Sequence, residues 1–578
     1  MSTRKSANHD ASERSSPKAR LVVRVGVTGH RSLDEQCLPA IRDHVRSVME
    51  QVRELADRTI SLYADAFTSG PPVLRVISSL AQGVDQLVAE EALRLGFELQ
   101  CPLPFLRDEY RRDFEGSDRT RFDRLLEQAT AVLELDGSRE NAPAAYEACS
   151  RVMLDQSDLI IAVWDGKAER GQGGTGKVVA EADELEIPVV WVNATGSDPI
   201  QMNLCEANAT FCPLQREQFQ ECLIKLLLPP SEGRSAAHEY FSKLRSGGRS
   251  TESTKSPARE HENSLASVIA PYQHHFQRTD QLAIRYTRRY RVSYLCNYLL
   301  AALAASLAIF LLYYEGHTKP GASDGDDTTY FLLLGLEGAL LLTIVALTVW
   351  AIRQRWHGRA INYRFLAEQF RLMFFLNPLG LVTPESRPPF QYSDGDPRST
   401  WMNWLFRSVV RQIGLPHVAI TPEYIAAYRQ YLLDEAIGSQ VLYHERLAKE
   451  KGRRHSILHG FAIVLFLTAA IVIILHIALL AFQMAEHGSV LTVITALCPA
   501  WGGALLAIDY QGEYGRVARR SKAMVSHLSR IIEVIENHAP QDPSSRLVPL
   551  VRSAARSMID EVMDWRIVFQ ARPTSLPA

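Results

Sequence analysis

The chain has 578 residues, with 63 Lys and Arg against 65 Asp and Glu and a formal net charge of -2. That length exceeds one domain and suggests about three or four units, and the near-neutral balance offers no bulk basicity, so direct nucleic-acid binding is not expected. The eight Cys form no CxxC pair, which argues against a zinc or disulfide framework, predicts no metal site and points to reduced thiols on the cytosolic side.

Residues 1–20 are polar, lack the apolar core of a secretory signal, and read as disordered. Residues 21–228 alternate strand and helix patterns. Leu21 to Val27 is a β-rich run that ends in Thr28-Gly29-His30-Arg31. Ser32 and Glu35 have capping-box spacing, and a helix should follow because Leu38, Ile41, Val45, Val48, Val52 and Leu55 recur at three and four. Val73 to Ile77 is a second strand, running into SSLAQGVDQLVAEEAL. Phe97 to Cys101 is a third, closed by Pro102 and Pro104; Ala131 to Leu135, Leu159 to Trp164 and Pro188 to Val192 follow. Such alternation predicts an α/β Rossmann-like domain, a parallel sheet covered on both faces, with ligands bound beyond the C-terminal strand ends.

Three loops leave strand ends of that kind. The third, after Trp164, carries Asp165 and then Gly171, Gly173, Gly174 and Gly176 before a helix with Val178, Val179, Ala182 and Leu185 on one face. Strand, glycine loop and helix start together suit a phosphate, because a helix start has free N–H groups and a partial positive charge; Lys177 adds a full one. The candidate ligand-binding residues are Gly29, His30, Arg31, Ser78, Ser79, Gly83, Asp85, Asp165, Gly173, Gly174, Thr175, Gly176 and Lys177. Some have a plainer alternative: Arg31 binds phosphate or is simply solvated, Asp85 binds a ribose hydroxyl or caps its helix, and Trp164 is core rather than a stacking platform.

The three loops resemble the SLOG superfamily, which takes in the DprA-type DNA-processing proteins and the LOG nucleotide hydrolases. SSLAQGVDQLVAEEAL is similar to the DprA-type segment, and GQGGTG to the LOG-type glycine loop. The resemblance covers roughly residues 22–195 and implies a Rossmann-like fold that binds a nucleotide or an NAD-derived molecule. LOG catalysts continue GGxGT-x-x-E. Here Lys177 stands at the Thr position and Ala180 at the Glu position, while Glu181 is one residue late, about 100° around a helix. Glu181 and Asp165 are therefore weak catalytic candidates, and no firm cofactor is implied beyond the nucleotide or NAD-derived ligand.

A Ser-, Gly- and charge-rich linker spans 229–263. Residues 264–352 hold a pre-membrane helix and apolar spans at 292–314 and 331–352; 457–508 holds two more at 457–482 and 490–508. Each is long enough to cross an apolar core of about 30 Å. Arg285, Arg288, Arg289, Arg291, Arg353, Arg355, Arg359, Lys449, Lys451, Arg453, Arg454, Arg516, Arg519 and Arg520 flank the spans on one side, and Asp324, Asp326 and Asp327 lie on the other. That asymmetry predicts a multi-pass protein of the inner or cell membrane with both termini, the central region 353–456 and the closing helices 509–578 in the cytoplasm. Within 353–456, Trp401, Trp404, Leu405, Val409, Val410 and Ile413 form an amphipathic stretch expected to pack on neighbouring helices rather than lie at the membrane surface. NYRFLAEQFR after the first pair resembles SLATT domains, two-span effector modules; the second pair repeats the layout. Inside the spans, Glu337 is either a functional group or an acid hydrated or protonated near the outer interface, and Asn297 and His476 are expected to hydrogen-bond between helices.

The expectation is a sensor. A cytoplasmic domain binds a nucleotide or NAD derivative and biases a membrane bundle, with the bilayer and further copies of the chain as partners. The SLOG and SLATT resemblances imply a prokaryotic defence setting with membrane permeabilisation as output. Two alternatives stay open: a membrane-anchored nucleotide or N-glycosidic hydrolase, and a membrane scaffold whose loops bind nothing.

Overall fold

The computed structural model of the protein describes residues 19–64, 66–68, 70–167, 174–203, 210–228, 265–315, 324–382, 400–481, 488–539 and 542–570. Residues 1–18 of the start expected to be disordered and the linker expected at 229–263 lie outside them, as do Gly171 and Gly173; Ala19, inside the expected disordered start, is instead buried and bridged to Phe67. In chain order the first elements are β1 (Val22–Gly29), α1 (Leu38–Leu62), β2 (Val73–Ile77), α2 (Val84–Arg94), β3 (Glu98–Leu103), α3 (Arg107–Tyr110), α4 (Gly116–Glu127), β4 (Ala129–Glu134), α5 (Ala142–Asp155), β5 (Leu159–Trp164) and α6 (Thr175–Glu184). Then come β6 (Val189–Asn193), β7 (Gln201–Met202), β8 (Cys212–Pro213), α7 (Arg216–Leu227), α8 (Leu265–Glu315), α9 (Asp324–Arg353) and α10 (Trp356–Leu376). The chain continues with α11 (Trp401–Ile413), β9 (Val418–Ala419), α12 (Pro422–Tyr431), α13 (Ile437–Ala481), α14 (Gly488–Gly512), α15 (Tyr514–Asn537) and α16 (Ser544–Gln570).

Two compact units result. The first is drawn from Met1–Arg278, Leu366–Leu432 and Asn537–Met563, the second from Thr279–Phe365, Leu433–Glu536 and Asp564–Ala578.

The first unit is a Rossmann-like α/β domain around a nine-stranded sheet of order β8-β7-β6-β5-β1-β2-β3-β4-β9. β1 to β6 and β9 run parallel, and β7 and β8 are antiparallel additions at one edge. Strands covered on both faces read as continuous apolar runs, and β5, LIIAVW, is buried along nearly its whole length. Going outward from β1, the order runs up through β2, β3 and β4 on one side and through β5 and β6 on the other. The crevice between β1 and β5 is thus the topological switch point, where open α/β sheets bind ligands.

Two local expectations are corrected. The capping box at Ser32 and Glu35 does not form: α1 starts at Leu38, after an uncapped Cys37 and with Pro39 at its first turn. Proline fits that position because its missing N–H has no intrahelical partner there. β3 does not stop before Pro102 but runs to Leu103. Its pairing with β2 ends at Gln100, so Pro102 has a strand neighbour only on the β4 side, an edge that tolerates a residue with no N–H.

The central segment completes this sheet. β9 pairs with β4 through Leu133↔Val418 and Glu134↔Ala419. The amphipathic face of α11, with Met402, Leu405, Phe406, Val409 and Val410, is buried. Polar side chains near the N-terminal strand ends reach the segment. Arg24 on β1 and Arg411 on α11 both bond Asp158, at 3.0 Å and 2.9 Å. Arg75 on β2 donates to the Arg411 and Gln412 carbonyls at the end of α11, where a cation complements the helix dipole. Gln100 on β3 accepts from the Leu415 N–H at 3.0 Å. Gly414 turns there with φ +74, and a Cβ would sit 2.7 Å from the Gln100 amide nitrogen, so glycine serves both the turn and the approach. Asp136 accepts from the Ser544 N–H at 2.6 Å, and Arg552 meets Asp155 at 2.6 Å, bringing the first turns of α16 into the same unit.

The second unit is helical. Among the described residues, four helices, built around α8, α9, α13 and α14, are long and apolar enough to cross a membrane, and most of their apolar surface is exposed. As expected of an interhelical bond, Asn297 on α8 donates to Thr348 on α9 at 2.8 Å; Trp501 on α14 likewise donates to Ser306 on α8 at 3.0 Å. A Cβ on Gly502 of α14 would stand 3.0 Å from the Phe466 ring of α13, so small residues set this close helix approach. His455 lies 2.8 Å from Asp509 just beyond the apolar stretches of that pair. Glu337 is partly exposed on α9, and its side chain makes no ion pair or hydrogen bond among the described residues.

Candidate functional site

The C-terminal ends of β1 and β2 open into a small cleft of about 80 Å³, bounded by the starts of α2 and α6 and one side of α5. Val27, Met153 and Val178 give it an apolar floor; Gly29, Arg31, Ser79, Asp85 and Thr175 supply the polar lining.

Tight backbone contacts bring the loops after β1 and β2 together. Gly83 has φ +90, and a Cβ there would lie 2.3 Å from the Arg31 carbonyl oxygen. Only glycine allows that contact, which the Val84 N–H secures by donating to the His30 carbonyl at 3.2 Å. Ser78 is buried and structural: its hydroxyl donates to the Asp85 carbonyl at 3.2 Å and accepts from the Leu80 N–H at 3.1 Å. Leu80 itself has φ +57, a left-handed conformation that a non-glycine residue adopts only when neighbours hold it. Gln86 helps by donating to the Leu80 carbonyl at 3.2 Å.

This bracing points Asp85 into the cleft from the first turn of α2, nearly buried at 6% exposure. Burial pushes its carboxyl up to about 6, against the opposing pull of the Ser79 hydroxyl, the Ala81 N–H and the nearby Arg31. The Ser79 hydroxyl donates to Asp85 Oδ2 at 2.7 Å. Across the cleft, Arg31 is exposed and rests its guanidinium on the Tyr146 ring of α5, 4.7 Å from the centroid. Tyr146 donates to Asp113 at 2.5 Å, and Arg139 braces Asp113 in turn. α6 begins at Thr175 after an extended Gly174, so its first turn and positive end face the cleft.

The remaining candidates lie outside the lining. His30 accepts the Asp165 N–H at 3.1 Å and lies 3.3 Å from the Asp165 carboxylate, which Lys167 also approaches at 3.2 Å. Lys177 does not enter the cleft lining: it meets Glu147 of α5 at 2.8 Å, because its place on the first turn of α6 faces that helix. Gly176 lies in the same turn. Glu181 pairs with Arg151 at 3.6 Å. Trp164 is partly buried against the apolar cluster under α6 and stacks obliquely on Trp191.

Sequence reading missed Pro104, Tyr110, Tyr146, Cys149 and Ser150, which wall the cleft. The one available signal was the helical spacing of Tyr146, Cys149, Ser150 and Met153 on α5, indistinguishable in sequence from a core-facing stripe. Cys149 donates to the Pro102 carbonyl at 3.2 Å, and burial pushes its thiol far up, which rules out a thiolate at neutral pH. Among the described residues no group of three or more His, Cys, Asp or Glu is placed to hold a metal ion.

Fold and site define a Rossmann-like α/β domain with a polar cleft at its switch point, carried by a chain that also has four membrane-length helices. No family model matches this chain, and no curated protein matches it.

Proposed function

We propose that the protein is a membrane effector controlled by a small ligand. In this reading the α/β unit is a cytoplasmic SLOG-type domain that binds a nucleotide or an NAD-derived molecule, and the four apolar helices are two SLATT-like pairs in the inner or cell membrane. The observation that carries it is the cleft: a helix start, an exposed arginine and a buried carboxylate converge at the switch point of a parallel sheet. Phosphate fits the start of α6 with Thr175 and Arg31, and Tyr110, Tyr146 and the apolar floor suit a ring.

Coupling has a chain-level basis. The segment between the two span pairs supplies α11 and β9 to the α/β unit. A ligand that binds one arrangement of this unit better than another shifts its population, and the shift reaches both pairs through the same covalent chain. Basic flanks support cytoplasmic termini, and assembly with further copies would supply a permeation path that one chain of apolar helices lacks. Permeabilisation as an antiviral output in a prokaryote fits the SLOG and SLATT resemblances.

The test uses the full chain in lipid vesicles loaded with dye, challenged with AMP, GMP, ADP-ribose and NAD. Leakage and a raised melting temperature should appear with the same ligand, since binding the native state raises apparent stability. Arg31→Ala should weaken that ligand about 10- to 100-fold, the size of a lost charge-assisted contact. No thermal shift across the panel would leave a scaffold. Release of base from the ligand, abolished by Glu181→Ala, would replace the sensor with an enzyme.

A further inference from the structure

The Asp85 carboxylate accepts from the Ser79 hydroxyl and the Ala81 N–H, and these two contacts leave it without a charged partner. The Asp85 backbone, not its side chain, takes the Ser78 hydroxyl that braces the strained loop. Gln86 and Ser78 hold Leu80 without it. No cation salt-bridges it among the described residues, whereas Asp158, equally buried, has two arginines. A buried carboxylate without an ion-pair partner is costly, and a sequence that keeps one in a cleft keeps it for something that enters.

The hydrogen-bond inventory narrows what enters. Asp85 accepts one bond from Ser79 at 2.7 Å and one from the Ala81 N–H, which leaves acceptor sites facing the cleft. Its ligand partner must therefore be a donor. Arg31 and the start of α6, on the same cleft, favour an anion. A molecule that is anionic at one end and offers paired neutral donors beyond it is a phosphorylated sugar with adjacent hydroxyls.

Resting on the nucleotide reading above, we propose that Asp85, oriented by Ser79, selects for a vicinal diol: it accepts hydrogen bonds from both ribose hydroxyls, so the cleft takes ribonucleotides and rejects their deoxy counterparts. The neutral acid that forms near pH 6 gains an O–H donor and loses acceptor capacity, so the preference weakens as the pH falls through that value.

The experiment measures binding to the full chain in detergent or nanodiscs by calorimetry, with AMP, GMP and ADP-ribose beside 2′-deoxy and 3′-deoxy AMP and GMP, and inorganic phosphate as the anion alone. The expected result is a preference of about 10- to 100-fold for the ribonucleotide over either deoxy form at pH 7.5, the size of one or two charge-assisted hydrogen bonds. Asp85→Asn should bring ribo and deoxy affinities together while phosphate binding persists. Ser79→Ala, which leaves the carboxylate but frees its rotamer, should reduce the preference partway and supplies the answer if Asp85→Asn does not fold. Equal binding of ribo and deoxy forms by the unaltered protein overturns the diol proposal and leaves the nucleotide reading standing. Binding of none of the nucleotides defeats both.

Discussion

The two ends of the central sheet each bury an aspartate, and the two are treated in opposite ways. At the N-terminal end, Asp158 sits among Arg24 and Arg411 with every contact short. Burial alone would push its carboxyl up, but the two guanidinium groups outweigh it and hold the group well below the usual carboxylate range. At the C-terminal end, Asp85 has a serine and a backbone N–H, and burial wins: the carboxyl rises to about 6. Similar depth and the same side chain give opposite shifts because only Asp158 is ion-paired, whereas the more distant Arg31 does not outweigh burial at Asp85. The compensated end ties distant segments together; the uncompensated end faces a cleft.

The largest expected effect tests the first end as a whole. Residues 19–228 expressed alone lack α11, β9 and the start of α16, and leave Asp158 short of Arg411 and β4 without its outer neighbour. This fragment should fail to give a cooperative thermal transition. A sharp transition by circular dichroism would show that the central segment decorates the sheet rather than completing it.

A single change comes next. Asp158→Ala strands Arg24 and Arg411 and should destabilise the full chain by about 3–5 kcal/mol, the usual result of breaking a buried ion pair, read as a lower melting temperature of the α/β unit. The smallest effect is the pH dependence that separates the two ends. Asp85 has its folded pKa raised from 3.8 to about 6, so the folded state binds more protons between those values. Stability contributed there falls as pH rises from about 4 to 6, by at most ~3 kcal/mol. Asp158 has its folded pKa depressed, so its contribution is present above about 4 and lost as the pH drops further. Asp85→Asn should flatten the pH 4–6 slope of the melting temperature and leave the acid limb intact; an unchanged slope would place the titrating group elsewhere.

The same contrast explains what the sequence made legible. Local signals carried the order from β1 to β6, because each strand is a short apolar run followed by a turn and a helical stripe. They also carried Arg31, Ser79, Asp85 and Thr175, because loops after parallel strands converge by topology. The partners of Asp158 were not legible. Arg411 lies 253 residues away, and β9 is two residues long, too short for any periodicity. The cleft wall on α5 was hidden for another reason: Tyr146 and Ser150 share the spacing of a buried stripe, and only the position of α6 decides that they border open space. Lys177 shows the converse, a cation well placed in sequence whose helix turns it toward Glu147.

Strand β9 also imposes a timetable. The ribosome makes the chain from its N-terminus, and about 190 residues, including the first two apolar helices, separate the end of α7 from β9. At ~5–20 residues per second that is a delay of roughly 10–40 s. Throughout it β4 presents an open edge and Asp158 waits for its second arginine. The sheet that forms the cleft is therefore finished only after the first pair of apolar helices has been synthesised.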